Sequence, residues 1–376
     1  MKVGWQTKKL RDVATLQRGF DLPTQDRVSG KIPLVSSSGV SDTHNTSAVR
    51  GPGVVTGRSG SIGNVFFIEQ DFWPLNTVLY VKDFHGNDPR FVFHLLKKFD
   101  LKRFASGAGV PTLNRNFVHD ELVNIPPLSE QQRLVGKLDE AFDGIATAKA
   151  NAEKNLQNAR ALFESHLQAV FTQRGKGWVE KRLGDVAKTQ YGLSKSMNEE
   201  GKGFKIFRMG EVQDGRLIDT GLMKFVDIDR TEFEKYKLRV GDVLFNRTNS
   251  FELVGKTGIF NLSGDYCFAS YLVRVLLNQK VMLLDFLNYF MNSEMFQMSV
   301  KQKASKSINQ ANINATILSN EMVWFPESLD IQRSIVSKLD ALRKETQRLE
   351  SIYQQKLAAL DDLKKSLLHQ AFSGQL

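Results

Sequence analysis

Two stretches decide how this chain is built: QQRLVGKLDEAF, Gln131 to Phe142, and QRSIVSKLDAL, Gln332 to Leu342. Each opens an amphipathic run, and the second nearly repeats the first. The repetition extends outward from them. GWQTKKLRDVATLQRG from Gly4 is matched by GWVEKRLGDVAKTQYG from Gly177, pairing Trp5 with Trp178, Asp12 with Asp185 and Gly19 with Gly192. GVVTGRSGSIGNVFF (Gly53 to Phe67) is echoed by GDVLFNRTNSFELVGKTGIF (Gly241 to Phe260), and PTLNRNFV (Pro111 to Val118) by SINQANI (Ser307 to Ile313). Four similar segments in one order mark an internal duplication.

Both amphipathic runs carry a coiled-coil seam with alternating steps of four and three. The first seam is Leu138, Phe142, Ile145, Lys149, Ala152, Leu156, Ala159, Phe163, His166 and Val170. The second is Ile335, Leu339, Leu342, Thr346, Leu349, Tyr353, Lys356, Leu360, Leu363 and Leu367. Pro127 and Pro326 precede them, and Gly175 and Gly374 follow. About 40 residues at about 1.5 Å each make a rod of about 60 Å. Such a stripe stays helical only when packed. Antiparallel pairing inside one chain satisfies both helices; pairing between two copies is the alternative.

The expected fold is therefore α+β: two mixed α/β domains joined and separated by a long antiparallel two-helix coiled coil, with a pseudo-twofold internal repeat. The expected limits are residues 1–127 for the first domain, 128–174 for the first spacer helix, 175–326 for the second domain and 327–376 for the second spacer helix. Within the domains, KIPLV, NVFFI and TVLYVK, then FKIFRM, DVLFN and YLVRVLL, read as strands, with one late helix each (PRFVFHLLKKF; LLDFLNYFMNSEMF).

The 376 residues carry 51 Lys and Arg against 41 Asp and Glu, a net charge of +10. That balance favours a polyanionic partner, nucleic acid first. No polybasic run or basic amphipathic helix argues for a membrane surface. The single cysteine, Cys267, excludes an internal disulfide and fits a reducing compartment. MKVGWQTKKLRD lacks the apolar core of a signal peptide, so a cytoplasmic protein is expected.

The candidate DNA contacts are polar and basic. Arg58 in TGRSGSIG and Arg247 in FNRTNS sit at what read as exposed hairpin tips among small neighbours, where a guanidinium can reach a guanine edge or a phosphate. Ser59 and Asn249 flank them. The stretches Leu101 to His119 and Met295 to Asn320 contain no Asp or Glu. They read as loops offering Lys102, Arg103, Asn114 and Arg115, then Lys301, Lys303, Lys306 and Asn309, to phosphates and base edges. Arg18, Lys195 and Arg208 complete the set. Asn76 is a weaker candidate.

No catalytic, metal or cofactor site is expected. The six histidines have no ligand spacing, GRSGSIG lacks the Lys-Ser/Thr of a P-loop, and no G-x-S-x-G elbow appears. NIPPL (Asn124 to Leu128) differs from the Asn-Pro-Pro-aromatic signature of amino-methyltransferases by an intervening isoleucine and a missing aromatic.

The ordered set W-x(4)-L-x-D-V-A at each domain start, LNRNFV then IPPLSEQQRLVGKLD, SINQANI then FPESLDIQRSIVSKLD, and the ending LLHQAFSGQL resembles the specificity subunits of type I restriction-modification enzymes over essentially the whole chain. FPES stands where the family has Pro-Pro-Leu. The resemblance implies two target recognition domains reading the parts of a split, asymmetric sequence in double-stranded DNA, with the helix pair setting the gap. It also implies a non-catalytic subunit without its own cofactor. Two modification subunits, which methylate adenine from S-adenosylmethionine, and two restriction subunits would be its partners. A stand-alone bipartite DNA-binding regulator is the alternative reading of the same residues.

Overall fold

In the computed structural model, residues 4–107, 111–307 and 310–376 are described. The chain forms two compact units, Met1–Lys154 with Tyr353–Leu376, and Asn155–Ile352.

In the first unit four antiparallel strands form a sheet in the order Thr15–Arg18, Val78–Asp83, Gly53–Gly57, Val65–Ile68. Side chains alternate between the faces of a strand, and here both faces are covered. Leu16, Val54, Leu79 and Val81 enter a core with Phe91 and Leu95 of helix Pro89–Lys98, while Val55, Val78 and Tyr80 join Val35 and Phe72 on the other side. Two-sided burial is why these strands read as continuous apolar runs. The helix starts where Asp88 accepts hydrogen bonds from the Arg90 and Phe91 amides, with Pro89 supplying no amide of its own. Strand Gln6–Lys9 pairs with Leu122–Ile125, which leads into the first long helix.

The second unit repeats that order and extends it: Ala187–Tyr191, Leu272–Leu277, Val243–Asn246, Thr257–Ile259, then Arg216–Leu217 and Val212–Gln213. Val243, Phe245, Val273 and Val275 face Phe286 and Phe290, and Leu244 and Leu272 face Phe207, Phe260 and Phe268. The late helix differs from expectation. It is one helix in the first unit and two in the second, Leu284–Asn292 and Glu294–Gln302, divided at Ser293, whose hydroxyl donates to the Phe290 carbonyl at 2.6 Å. Gln297 to Gln302, read as loop, is helical because Phe296 and Val300 bury one turn apart.

The long helices are Leu128–Thr172 and Leu329–Ser373, and they pair with each other antiparallel. In the first unit Lys149 Nζ meets Asp361 Oδ1 at 2.7 Å and Arg133 Nη2 donates to the Leu376 carbonyl at 2.8 Å. In the second, Arg160 Nε meets Glu350 Oε2 at 2.8 Å and the Arg343 guanidinium lies 4.8 Å from the Phe163 ring centre. The expected α+β class with its two-helix coiled coil is thus the observed one.

Three expected seam positions, His166, Lys356 and Leu363, fall outside the seam. Leu138, Ile145, Ala152 and Ala159 are buried at heptad spacing, but Phe163, Leu167 and Phe171 follow in steps of four and His166 is exposed. There the helix faces the second unit's core, so the 3.6-residue period of a straight helix governs in place of the 3.5 of a supercoil. On the other helix Leu357, Leu360, Lys364 and Leu367 turn inward, leaving Lys356 exposed and Leu363 46% exposed. The one-residue shift keeps the Lys356 ammonium in water. Lys364 lays its stem inward and its Nζ 5.0 Å over the Phe142 ring.

Each long helix is locked to its unit by a buried glutamine. Gln131 (2% exposed) donates from Nε2 to Asn87 Oδ1 at 2.8 Å and the Pro126 carbonyl at 3.0 Å, and accepts from the Asp88 amide at 3.0 Å. Gln332 (0% exposed) donates to the Pro326 and Val281 carbonyls at 2.7 and 3.1 Å and accepts from the Leu283 amide at 2.8 Å. Matching the Gln-Arg pairs in the two stretches would equate Gln132 with Gln332. The bonds equate Gln131 with Gln332 instead.

Candidate nucleic-acid interface

The two arginine turns share one scaffold. The Arg58 amide donates to the Thr77 carbonyl at 2.9 Å, and the Arg58 carbonyl accepts from the Leu113 amide at 2.7 Å. The Arg247 amide donates to the Tyr271 carbonyl at 3.0 Å, and its carbonyl accepts from Ile313 at 2.9 Å. So in each unit the basic turn is pinned between the residue that enters strand Val78–Asp83 or Leu272–Leu277 and a segment that precedes the long helix. Gly19 and Gly192 complete the scaffold: a Cβ there would sit 2.2 Å from the Leu75 carbonyl oxygen or 2.3 Å from that of Ala269. Only glycine permits the approach.

The expected exposed tips are half-buried. Arg58 Nε donates to the Asn76 carbonyl at 3.1 Å. Burial, then the charge of Arg18, lower its pKa, against the pull of Asp21. Asp21 accepts from Arg18 Nη2 at 3.1 Å and from Asn76 Nδ2. Arg18, Arg58, Asp21 and Asn76 thus form one cluster. Arg247 is held more completely: Nη1 donates to the Ser270 carbonyl at 3.1 Å, Nη2 to Asn312 Oδ1 at 3.0 Å, and the guanidinium carbon lies 5.0 Å from the Tyr191 ring centre. Its Nε is buried without a partner among the described residues. A side chain is tethered in each turn because a half-buried guanidinium must replace its hydration with fixed acceptors.

The remaining candidates divide. Ser59 donates its amide to the Thr77 carbonyl at 3.2 Å and bridges Thr112, beside Arg58, and Lys102 packs its stem near Gly63 of the same turn. Lys102 and Arg115 are exposed. Arg103 is tied to Glu121 at 2.6 Å and, two hundred positions on, Lys303 is tied to the 1%-exposed Glu321 at 2.8 Å. Both cations neutralise the acid that ends their own loop. Asn114 caps helix Arg115–His119 by accepting from the Asn116 amide at 3.0 Å, and Asn249 accepts from the Ser250 amide at 2.8 Å. Lys301 donates to the Glu252 carbonyl at 2.8 Å, burial lowering its pKa. Lys306 lies 4.2 Å over the Phe251 ring, close in sequence to Arg247 and Asn249. Lys195 and Arg208 stand apart from the turn's bonds, at 3.5 Å from Glu232 and 3.0 Å from Glu211. Asn309 lies outside the described residues. Sequence reasoning missed Asp21, Tyr191 and Asn312; the signal was there, since Arg18 and Tyr191 both immediately precede the matched glycines.

Among the described residues no group of three or more His, Cys, Asp or Glu is placed to hold a metal ion, and no helix is long and apolar enough to cross a membrane. Cys267 is buried and its thiol is pushed up to about 12, the opposite of a nucleophile. A cavity of about 610 Å³ in the second unit sets Arg160, Lys256, Lys301 and Arg343 against Glu164, Asp214, Glu252 and Glu350, so its charges cancel.

The chain belongs to the family of type I restriction modification DNA specificity domains, whose pattern it matches twice, at residues 2–157 and 175–358. It is 24% identical over 315 residues to the type I restriction enzyme EcoBI specificity subunit of Escherichia coli, covering 76% of this chain and 65% of that one. This chain therefore spans just under two thirds of that relative's length. Its fold is similar to a chain from a solved type I R-M system (TM-score 0.79, 21% identity, 100% and 99% of the two chains) and to the HsdS subunit from Thermoanaerobacter tengcongensis (TM-score 0.62, 21% identity, 100% and 98%).

Proposed function

We propose that this chain is the DNA-recognition subunit of a type I restriction-modification complex, reading a bipartite, asymmetric sequence in double-stranded DNA, one part with each half of the repeat. The observation that carries this is the arginine turn, built twice with the same backbone bonds around Arg58 and Arg247. Two copies of one scaffold carrying different surroundings are what two different half-sites require. Residues 1–127 and 175–326 act as the readers, and 128–174 with 327–376 as the spacer.

In this reading the chain performs no chemistry and carries no cofactor. Methyl transfer and cleavage belong to two modification and two restriction subunits that assemble on it, and the complex works in the cytoplasm. The duplicated helix start supports it: the Gln131 and Gln332 locks make two equivalent frames for two copies of a partner.

Mapping methylated adenines in cells that co-express the chain and its modification subunit tests this. A split motif is expected, with Arg58→Ala relaxing one half and Arg247→Ala the other. Methyl transfer by the purified chain alone, or equal loss at both halves from either substitution, overturns it.

A further inference from the structure

The two arginine centres are built for different work. In the first half Arg58 has one side-chain hydrogen bond among the described residues and shares its cluster with a second guanidinium, Arg18. At the matching place before the glycine the second half has Tyr191, whose ring supports Arg247 and whose hydroxyl accepts from the Ala315 amide at 2.8 Å. Asn312 Oδ1 takes one Arg247 N–H and its Nδ2 donates to Thr248 Oγ1 at 2.9 Å, so the amide cannot rotate freely. A guanidinium carries five N–H donors. The Ser270 carbonyl and Asn312 occupy two, and the buried Nε finds no acceptor among the described residues.

A phosphate presents acceptors in many directions and gains little from a fixed guanidinium plane. A base edge needs two coplanar donors at one tilt, as at guanine O6 and N7. We propose that Tyr191 and Asn312 are positioning residues that hold Arg247 as a rigid reader of a purine acceptor edge in the second half-site, where the first half sets Arg18 in the place of Tyr191. This rests on the DNA-reading function proposed above.

The test is selection from randomised duplexes by the full chain in complex with its modification subunit, comparing parent, Tyr191→Leu, Tyr191→Phe and Asn312→Ala. Tyr191→Leu and Asn312→Ala are expected to lose about tenfold discrimination at the same single position of one half-site, with the salt slope of binding unchanged. Tyr191→Phe, which keeps the ring, keeps the discrimination. A uniform loss across sequences with a slope shallower by about 1 marks a phosphate contact and overturns the proposal. So do an unchanged pattern in Tyr191→Leu, or relaxation of different positions by the two variants. A parent complex that selects no bipartite sequence instead brings down the DNA-reading function, and this inference with it.

Discussion

The same aspartate of the repeated Lys-Leu-Asp is gripped differently in the two halves. Asp139 takes Arg90 Nε at 2.5 Å and His94 Nε2 at 2.9 Å, whereas among the described residues Asp340 takes only the Tyr289 hydroxyl, at 2.5 Å. His94 and Tyr289 occupy matching places on the helices that pack beside the long ones, six positions past Asp88 and Leu283, whose amides the two glutamines receive. The duplication has kept the backbone sockets and let the side chains that fill them diverge. Geometry is shared where it sets the frame, and chemistry varies where a partner of the same size and reach will serve.

The largest effect should come from the shared sockets. Gln131→Leu or Gln332→Leu leaves three polar groups without their partner and should cost about 3 kcal/mol, seen as faster amide exchange confined to the unit that holds the glutamine. A cost in one unit less than half that in the other would break the equivalence.

The divergent aspartate partners should separate the halves by pH. Burial holds His94, 2% exposed, below its ordinary pKa of 6.5, helped by Lys97 and Arg90 and opposed by Asp139. The unfolded chain therefore takes up a proton that the folded one refuses, and stability falls as pH drops from about 6.5 toward the lower folded value. Burial, then the bond to Asp340, raise Tyr289 above its ordinary 10.0. Its contribution is intact below pH 10 and lost as pH rises beyond. In urea denaturation, His94→Phe should flatten the acid limb and Tyr289→Phe the alkaline limb. An acid limb untouched by His94→Phe would refute the burial argument.

The smallest effect belongs to the helix pair. Lys149–Asp361 and Arg160–Glu350 are solvent-washed on at least one side, so double-mutant cycles should give small couplings that roughly 1 M salt abolishes. Unequal couplings would show one half of the coiled coil to be electrostatically specified.

Much of the architecture was legible because repetition and heptad spacing are long-range signals that survive individual exceptions. The seam failed where its cause changed, at His166 and Lys356, since periodicity cannot say whether a helix faces another helix or a domain core. Of the candidate site, Arg58 and Arg247 stood out by their small neighbours, but their tethers did not: the Asn76 and Ser270 contacts are backbone carbonyls, which any residue supplies. Arg103 and Lys303 misled for a definite reason. Their segments are free of acids up to His119 and Asn320, and the neutralising Glu121 and Glu321 come within two residues of those ends.

The solitary thiol has a practical use. Cys267 is 0% exposed and reluctant to ionise, so maleimide chemistry on the folded protein should pass it by. Fluorophores or spin labels attached through cysteines introduced beside Arg58 and Arg247 would report the span from one turn to the other, in solution and on DNA, without first stripping the native sulfur.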